Sequence, residues 1–488
     1  MADYLWTDTE WNFKILDRVY KEIEKIAEED LGLKDLYPNQ IEIITSEQMV
    51  DAYSSVGLPI FYHHWSFGKH FTRDWTNYQK GQQSLAYEIV INSSPCISYL
   101  MEENTATMQA LTLGHAACGH NYFFSHNALF REWTDASSII DYLVFAKDYI
   151  AKCEVREGLD QVASFLDSCH CLMSYGVNRY KRPAKLSLIK ERKRTEARDT
   201  YKQSQVNELF DTLVKEAVDD PDGEKIFPRE PEENILWFCE KYSPELPEWK
   251  REIIRIVRKM AQYFYPQAQT RVTNEGAACH VHYKIMNRLH DKGMMTDGSM
   301  IEFLTSHTNV VAQPDFDSRV YNGINPYALG FAMMQDIERI CERPTEEDHR
   351  WFPQIAGSGD GMAVLRDAWA DYRDESFIRQ FLSPKVIRDF GLFRLSDVKD
   401  DPMYVVTAIH DDAGYQKVRE SLAENYERHA MVPQIEVLSV NPHTRSLSLR
   451  YRGYRDRTLL KPMAVLQHVR TLWGNTIFLY DMNGTLIT

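Results

Sequence analysis

Between residues 8 and 30 the apolar positions recur every three to four residues among mixed charges, which predicts an amphipathic helix. Within Leu36 to Ser55 the β-branched run IEIIT predicts a short strand followed by a helix start. The aromatic phrase LPIFYHHWSFGKHFTRDW contains Pro59 and Gly68, which discourage regular structure and predict a loop. Tyr87 to Ser93, YEIVINS, alternates and is β-branched, so it reads as a strand ending at Pro95. From Ile97 to Phe124 the period turns helical, and further helices are expected at 133–152, 157–175, 234–241, 247–264 and 274–292. Between Thr296 and Trp351 more helix is interrupted by QPDFDSRVYNGINPYALG, and Thr345 stands where it can cap the turn begun by the acids after it.

Two changes of texture divide the chain. Residues 181–232 are charged, poor in apolar side chains and punctuated by Pro and Asp, as an exposed insertion or linker would be. Its basic run from Lys181 to Arg194 reads as a solvated helix face rather than a nucleic-acid site. After Asp400 the order becomes strand (MYVVTAIH), helix (GYQKVRESLAENYERH), two strands (QIEVLSV, SLSLRYRGY), helix (KPMAVLQHVRTLW) and strand (NTIFLYDM). That is the βαββαβ order of a ferredoxin-like domain. The expected class is α+β: a large, mainly helical body in two halves, 1–180 and 233–399, the insertion 181–232 between them, and a ferredoxin-like domain over 400–488.

Composition narrows the classes of function. A chain of 488 residues with 44% hydrophobic content is long enough for more than one core and unlike a disordered polymer. Its net charge of -15 opposes a broad phosphate-binding surface, so nucleic acid is a poor partner. No signal-peptide pattern opens the chain and no run of apolar residues is long enough to span a bilayer, which predicts a cytoplasmic protein. Eight cysteines are scattered without a CxxC pair, against a disulfide framework or thiolate zinc knuckle. Walker, GxGxxG, GxSxG and kinase signatures are absent.

Two distant segments carry candidate chemistry. In MEENTATMQALTLGHAACGHNYFF, His115 and His120 are five apart. A regular α-helix would set them about 140° apart, whereas a π-bulge would bring i and i+5 into line. Gly119 weakens the helix at that point. Ala116 stands where an HExxH protease has its Glu, so a conventional zincin is excluded. In NEGAACHVHYKIMNRLH, Glu275, Cys279 and His282 fall on one helix face, with His280 to the side. A carboxylate and an imidazole on a mostly apolar helix are costly to bury without partners.

A divalent cation, zinc foremost, shared by His115, His120, Glu275 and His282 would satisfy them, with Glu102 or Glu103 as a general base. The competing reading is a hydrogen-bonded polar cluster in a large helical core, with Glu102 and Glu103 serving the helix start. His307 reads as a further ligand or a helix-end cap, and Asp135 as a pocket candidate. His63, His64 and Trp65 read as stacking residues of an aromatic loop, and Cys169, His170 and Cys171 as core packing.

The phrases HHWSFGKHF, LAYEIVINSSPCISYLMEEN, HAACGHNYFF, REWTDASSIIDYLVFAK, MAQYFYPQAQT, TNEGAACHVHY, INPYALGFAM and QFLSPKVIRDF resemble the stage V sporulation protein R (SpoVR) family, in order along nearly the whole chain. One segment departs from it: the family phrase NEGWATFW meets Ala277, Cys279 and His280 here, while Glu275 and His282 are kept. The resemblance implies a role in spore cortex formation or stationary-phase stress physiology, touching peptidoglycan or its precursors. It also implies a PrkA-type serine kinase and a von Willebrand-like protein as partners. Two functions follow as expectations: a metal-dependent amide hydrolase, or a non-catalytic scaffold for that kinase and its partner.

Overall fold

The computed structural model describes residues 4–55, 58, 61–79, 87–179, 190, 193, 196–197, 200, 227–228, 231–396, 405–408, 410–427, 434–452 and 462–487. In chain order the elements used below are α1 (Phe13–Glu29), β1 (Asn39–Ile44), α2 (Ser46–Ser54), α3 (Trp65–Gln79), β2 (Glu88–Ile91), β3 (Cys96–Met101) and α4 (Ala106–Thr112). A π-helical stretch, Leu113–His120, leads into α5 (Asn121–His126), α6 (Ala128–Trp133), α7 (Ile139–Glu157) and α8 (Leu159–Cys171). There follow α9 (Ile235–Tyr242), α10 (Glu248–Gln269), α11 (Arg271–Asp291), α12 (Asp297–Val310), α13 (Pro326–Glu342), α14 (Glu346–Trp351), α15 (Gly361–Asp371), α16 (Asp374–Phe381) and α17 (Pro384–Asp389). The last are β4 (Arg394–Ser396), β5 (Val405–Ala408), α18 (Asp412–Tyr426), β6 (Gln434–Val440), β7 (Leu447–Arg452), α19 (Pro462–Trp473) and β8 (Ile477–Tyr480).

The chain divides into two compact units: Met1–Ser164 with Gln262–Val432, and Phe165–Ala261 with Pro433–Thr488. In the first, α1 shows how the pattern becomes packing. Its Leu16, Val19, Ile23 and Ile26 repeat at helical spacing and are buried, and Asn12 caps its start by accepting from the backbone of Lys14 and Ile15. Each fully buried aliphatic side chain of this kind contributes about 1.5–3 kcal/mol. That face joins residues of α4, the π stretch, α11, α13, α15 and α16 in one continuous core. A three-stranded sheet, order β1-β3-β2, completes the unit, with β1 parallel and β2 antiparallel to β3.

Two local expectations change. Cys96–Met101 is a strand, not a helix start, because it lies between β1 and β2 and receives hydrogen bonds from both. Trp65–Gln79 is a helix despite Gly68, since Phe71 and Trp75, four apart, pack together against Met49 and Val50. Thr345 does cap α14, in a reciprocal capping box with Asp348.

The order βαββαβ occurs along the C-terminal sequence, but the four strands do not share one sheet. β5 pairs with β4, whereas β6, β7 and β8 form a separate sheet in which β7 and β8 are parallel. α18 explains the division: Tyr415, Val418, Leu422 and Ala423 are buried in the core of the first unit, which keeps the first strand–helix pair there. In the second unit, α9 and the C-terminal elements pack together, with Phe238 stacked on Trp473 and the Ser243 hydroxyl donating to the Trp473 carbonyl at 2.9 Å. The charged insertion 181–232 lies almost wholly outside the described residues. Among the described residues, no helix is long and apolar enough to cross a membrane.

Candidate metal centre

His115 and His120 sit on the π-helical stretch, which runs without a break from α4 into α5. The wider turn brings residues five apart to one face, and the two imidazoles meet edge to face with centroids 4.6 Å apart. Local chemistry supports the distortion. The Thr112 hydroxyl donates back to the carbonyls of Met108 and Gln109, competing with the helical ladder just before the turn widens. The carbonyl of Ala117 accepts from the Asn39 side chain at 3.0 Å, so this buried acceptor is satisfied from β1.

The second carrier is α11. Its N-terminus is fixed by the buried Asp374 carboxylate, which accepts from the backbone of Val272 and Thr273 and from the Thr273 hydroxyl at 2.8–3.0 Å. Small residues then let α11 touch its neighbours at backbone distance. A Cβ on Gly119 would fall 2.6 Å from Ala278 Cα, and one on Gly276 would fall 2.6 Å from the Gly330 backbone of α13. Contact this close turns Glu275, Cys279 and His282 directly onto the π stretch.

Two overlapping donor sets result. The atoms offered by His115, His120 and Glu275 lie within 4.8 Å of one another, as do those of His115, Cys279 and His282. Glu275 Oε2 stands 3.6 Å from His115 Nε2 and 3.5 Å from His120 Nε2, and this buried oxygen takes no hydrogen bond among the described residues. Glu88 Oε1, from β2, lies 3.7 Å from the same His115 nitrogen. Tetrahedral ligand bonds of about 2.0–2.2 Å would set neighbouring donors about 3.3–3.6 Å apart. The Glu275 spacings are long for hydrogen bonds and right for a shared cation.

Behind the donors, hydrogen bonds choose the tautomers. His120 Nδ1 donates to Asn274 Oδ1 at 2.9 Å, leaving a lone pair on Nε2. His115 Nδ1 lies 2.9 Å from His282 Nδ1, and His282 Nε2 lies 2.8 Å from His307 Nδ1. With a proton on each nitrogen pointing away from Glu275, Nε2 of both His115 and His120 keeps a lone pair toward the cluster, and the row ends on His307 Nε2, a buried nitrogen without a hydrogen-bond partner among the described residues. Burial pushes the imidazoles of His120 and His307 down to about 4, and that of His282 well below its ordinary value. Burial also opposes charge on His115, but its contacts with Cys279, Glu275 and Glu88 outweigh this and hold it well above its ordinary value. Burial raises the Glu88 carboxyl, whereas His120 and His115 overcome the same effect at Glu275 and hold it low.

The four expected ligands, His115, His120, Glu275 and His282, are thus brought together, though both ring nitrogens of His282 already face other imidazoles. Glu102 and Glu103 are not brought there: both are exposed on the turn after β3, where Glu103 accepts from the Ser46 backbone at 3.3 Å. An acid after a strand is held by that strand's end, and β3 ends beside β1 and α2. The carboxylate at the cluster's rim is Glu88, which shares a strand face with Val90, directed at the large core. In YEIVINS it shares the more polar face with Val90 and Asn92, so the strand pattern did not mark it. Asp135 is exposed and accepts from Ser137 at 2.7 Å. Fully buried His280 faces away from the cluster, 3.4 Å from Glu338. Cys169 is buried while Cys171 is exposed, so they do not converge. His63, His64 and Trp65 line a cavity of about 390 Å³ together with Asp51 and Ser55.

A helical body that carries a buried histidine–carboxylate cluster, followed by a small C-terminal sheet, defines the class of protein. The chain matches the family model described as SpoVR like protein over residues 10–431 and that of the SpoVR-like C-terminal domain over 433–484. It therefore belongs to the SpoVR family. It is 54% identical over 477 residues to the uncharacterized protein YcgB of Escherichia coli (strain K12), covering 97% of this chain and 93% of that one. No solved structure matches it.

Proposed function

We propose that the cluster is the divalent-metal centre of a hydrolase, with His115 Nε2, His120 Nε2 and Glu275 Oε2 as its ligands. The observation that carries this reading is Glu275 Oε2: a buried carboxylate oxygen without a hydrogen bond among the described residues, between two imidazole nitrogens at 3.5 and 3.6 Å. Two imidazoles and one carboxylate suit zinc, and equally iron. When bound, the cation supplies Lewis acidity and a lowered pKa for water.

The chain's own residues do the rest. Asn274 holds His120 in the tautomer whose Nε2 faces the cluster, and His282 does the same for His115. Glu88, with a side chain 17% exposed, stands at the rim beside His115 and is placed to take a proton from water and return it to a leaving group. Its raised pKa suits a carboxylate that must hold that proton between steps. Glu88 thus takes the role that spacing along the chain gave to Glu102 or Glu103. The amide bond as target belongs to the hydrolase reading itself, and peptidoglycan or its precursors as its setting come from the SpoVR resemblance.

The test is elemental analysis of full-length protein purified without chelator, beside His120→Ala and Glu275→Gln. Stoichiometric zinc or iron in wild type, lost in both variants, is expected. Glu88→Gln should keep its metal and lose turnover of muropeptide amides by about 10²–10⁴-fold. Wild-type protein without metal, and unable to take any up, would leave the scaffold reading, with the PrkA-type kinase and von Willebrand-like protein as its clients.

A further inference from the structure

We infer that the pocket is built for two cations, the second held by Cys279 Sγ and His282 Nδ1, with the His115 ring shared between the two sites. The inference rests on the proposed centre in one respect: a first cation occupies the Nε2 side of His115.

His115 is the common member of both donor sets. Its two nitrogens face different partners: Nε2 looks to Glu275 and Glu88 at 3.6 and 3.7 Å, and Nδ1 to His282 Nδ1 at 2.9 Å. A contact between two imidazole nitrogens holds one proton between two lone pairs. A Lewis acid can replace that proton if the two nitrogens part from 2.9 Å to about 3.3 Å and a third donor is at hand. Cys279, one turn before His282 on the same face of α11, offers its sulfur within 4.8 Å of the nitrogens of both residues. All three residues are buried, so their donors do not compete with water. His307 completes the arrangement from behind. Its Nδ1 lies 2.8 Å from His282 Nε2 and can accept a proton carried there, the tautomer that directs the His282 Nδ1 lone pair at the cluster, as a ligand requires.

The chemistry of the second set differs from the first. One sulfur and two imidazole nitrogens favour zinc, cobalt or another borderline-to-soft ion over magnesium or calcium. Binding there displaces two protons, that of the Cys279 thiol and the one shared by His115 and His282, so a divalent ion adds no net charge to the buried pocket. His115, having given up both ring protons, would offer Nε2 to the first site and Nδ1 to the second.

Cobalt(II) is the probe, titrated into metal-free full-length protein, with bound cobalt counted and the absorption spectrum recorded. About two cobalt ions per chain are expected, with a sulfur-to-cobalt charge-transfer band in the near ultraviolet. Cys279→Ser should retain about one ion and its visible ligand-field bands while losing the charge-transfer band. His307→Ala should weaken the second step about tenfold to a hundredfold and spare the first. One ion and no sulfur band in wild type would overturn the second site and leave the first standing. A single ion whose sulfur band disappears in Cys279→Ser would mean that the donor sets compete for one cation, and would overturn the inference as well. No cobalt at all would overturn both sites. Wild type alone decides between these outcomes if a variant fails to fold.

Discussion

At the scale of single residues, the cluster is governed by which nitrogen carries a proton. Asn274 touches no candidate cation, yet its acceptor fixes the His120 tautomer. Asn274→Ala should therefore lower metal affinity about tenfold to a hundredfold, with an unchanged circular dichroism spectrum. Protonation predicts a pH slope as well. Burial pushes His120 down to about 4, whereas contacts with Cys279, Glu275 and Glu88 hold His115 well above its ordinary value, so it keeps its second proton more tightly than a free imidazole does. A cation at His115 Nε2 must displace that proton, so affinity should rise with pH, about tenfold per unit. Cobalt titrations of the wild-type protein at several pH values, read at less than one equivalent, follow this first step, and a flat profile would show that His115 is not the protonated ligand. The sequence made His115, His120, Glu275 and His282 legible because costly polar residues stand on apolar helices, Glu275 and His282 at helical spacing and His115 and His120 at the spacing a π turn aligns. It offered Glu102 and Glu103, which are near the histidines along the chain but lie on the turn after β3, and passed over Glu88, which comes near them only through the sheet.

Between elements, the cluster depends on how closely two helices approach. Gly119 and Ala278 meet at backbone distance, and a Cβ at Gly119 would have Ala278 Cα only 2.6 Å away, where no rotamer gives relief. Gly119→Ala should cost about 1–3 kcal/mol in a denaturant melt and weaken metal binding, by separating His115 and His120 from Glu275. Gly298, near the start of α12, is the control: its nearest neighbour would be Thr296 Oγ1 at 3.8 Å, so Gly298→Ala should be neutral or slightly stabilising. Equal effects at both positions would refute the close-approach argument. The π turn was readable as a condition, since i and i+5 cannot share an α-helical face. What stabilises it was not readable, because the acceptor of Asn39 is a backbone carbonyl 78 residues away. The strand at Cys96–Met101 escaped for a similar reason: its helical-looking pattern is overridden by pairing on both edges.

For the whole molecule, the division into units does not follow the order of the chain. The C-terminal family match begins at residue 433, where the compact units also part, yet the segment 433–488 shares its unit with 165–261. The Val437 backbone exchanges hydrogen bonds with Glu232 at 2.8 and 3.0 Å, and fully buried Phe238 stacks on Trp473. The C-terminal segment is therefore half of a core. A chain ending at Val432 should expose the apolar faces of α8, α9 and α10, at about 1.5–3 kcal/mol for each side chain stripped of its cover. Hydrogen exchange and limited proteolysis should then find 165–261 open in the truncated chain. The donors of the proposed metal centre all belong to the first unit, so cobalt uptake should persist. Protection of 165–261 equal to that of the full chain would mean that this segment folds without the C-terminal sheet. Loss of cobalt together with loss of protection would mean that the two units unfold as one, and that removing one half-core costs the site its framework although no ligand has been removed.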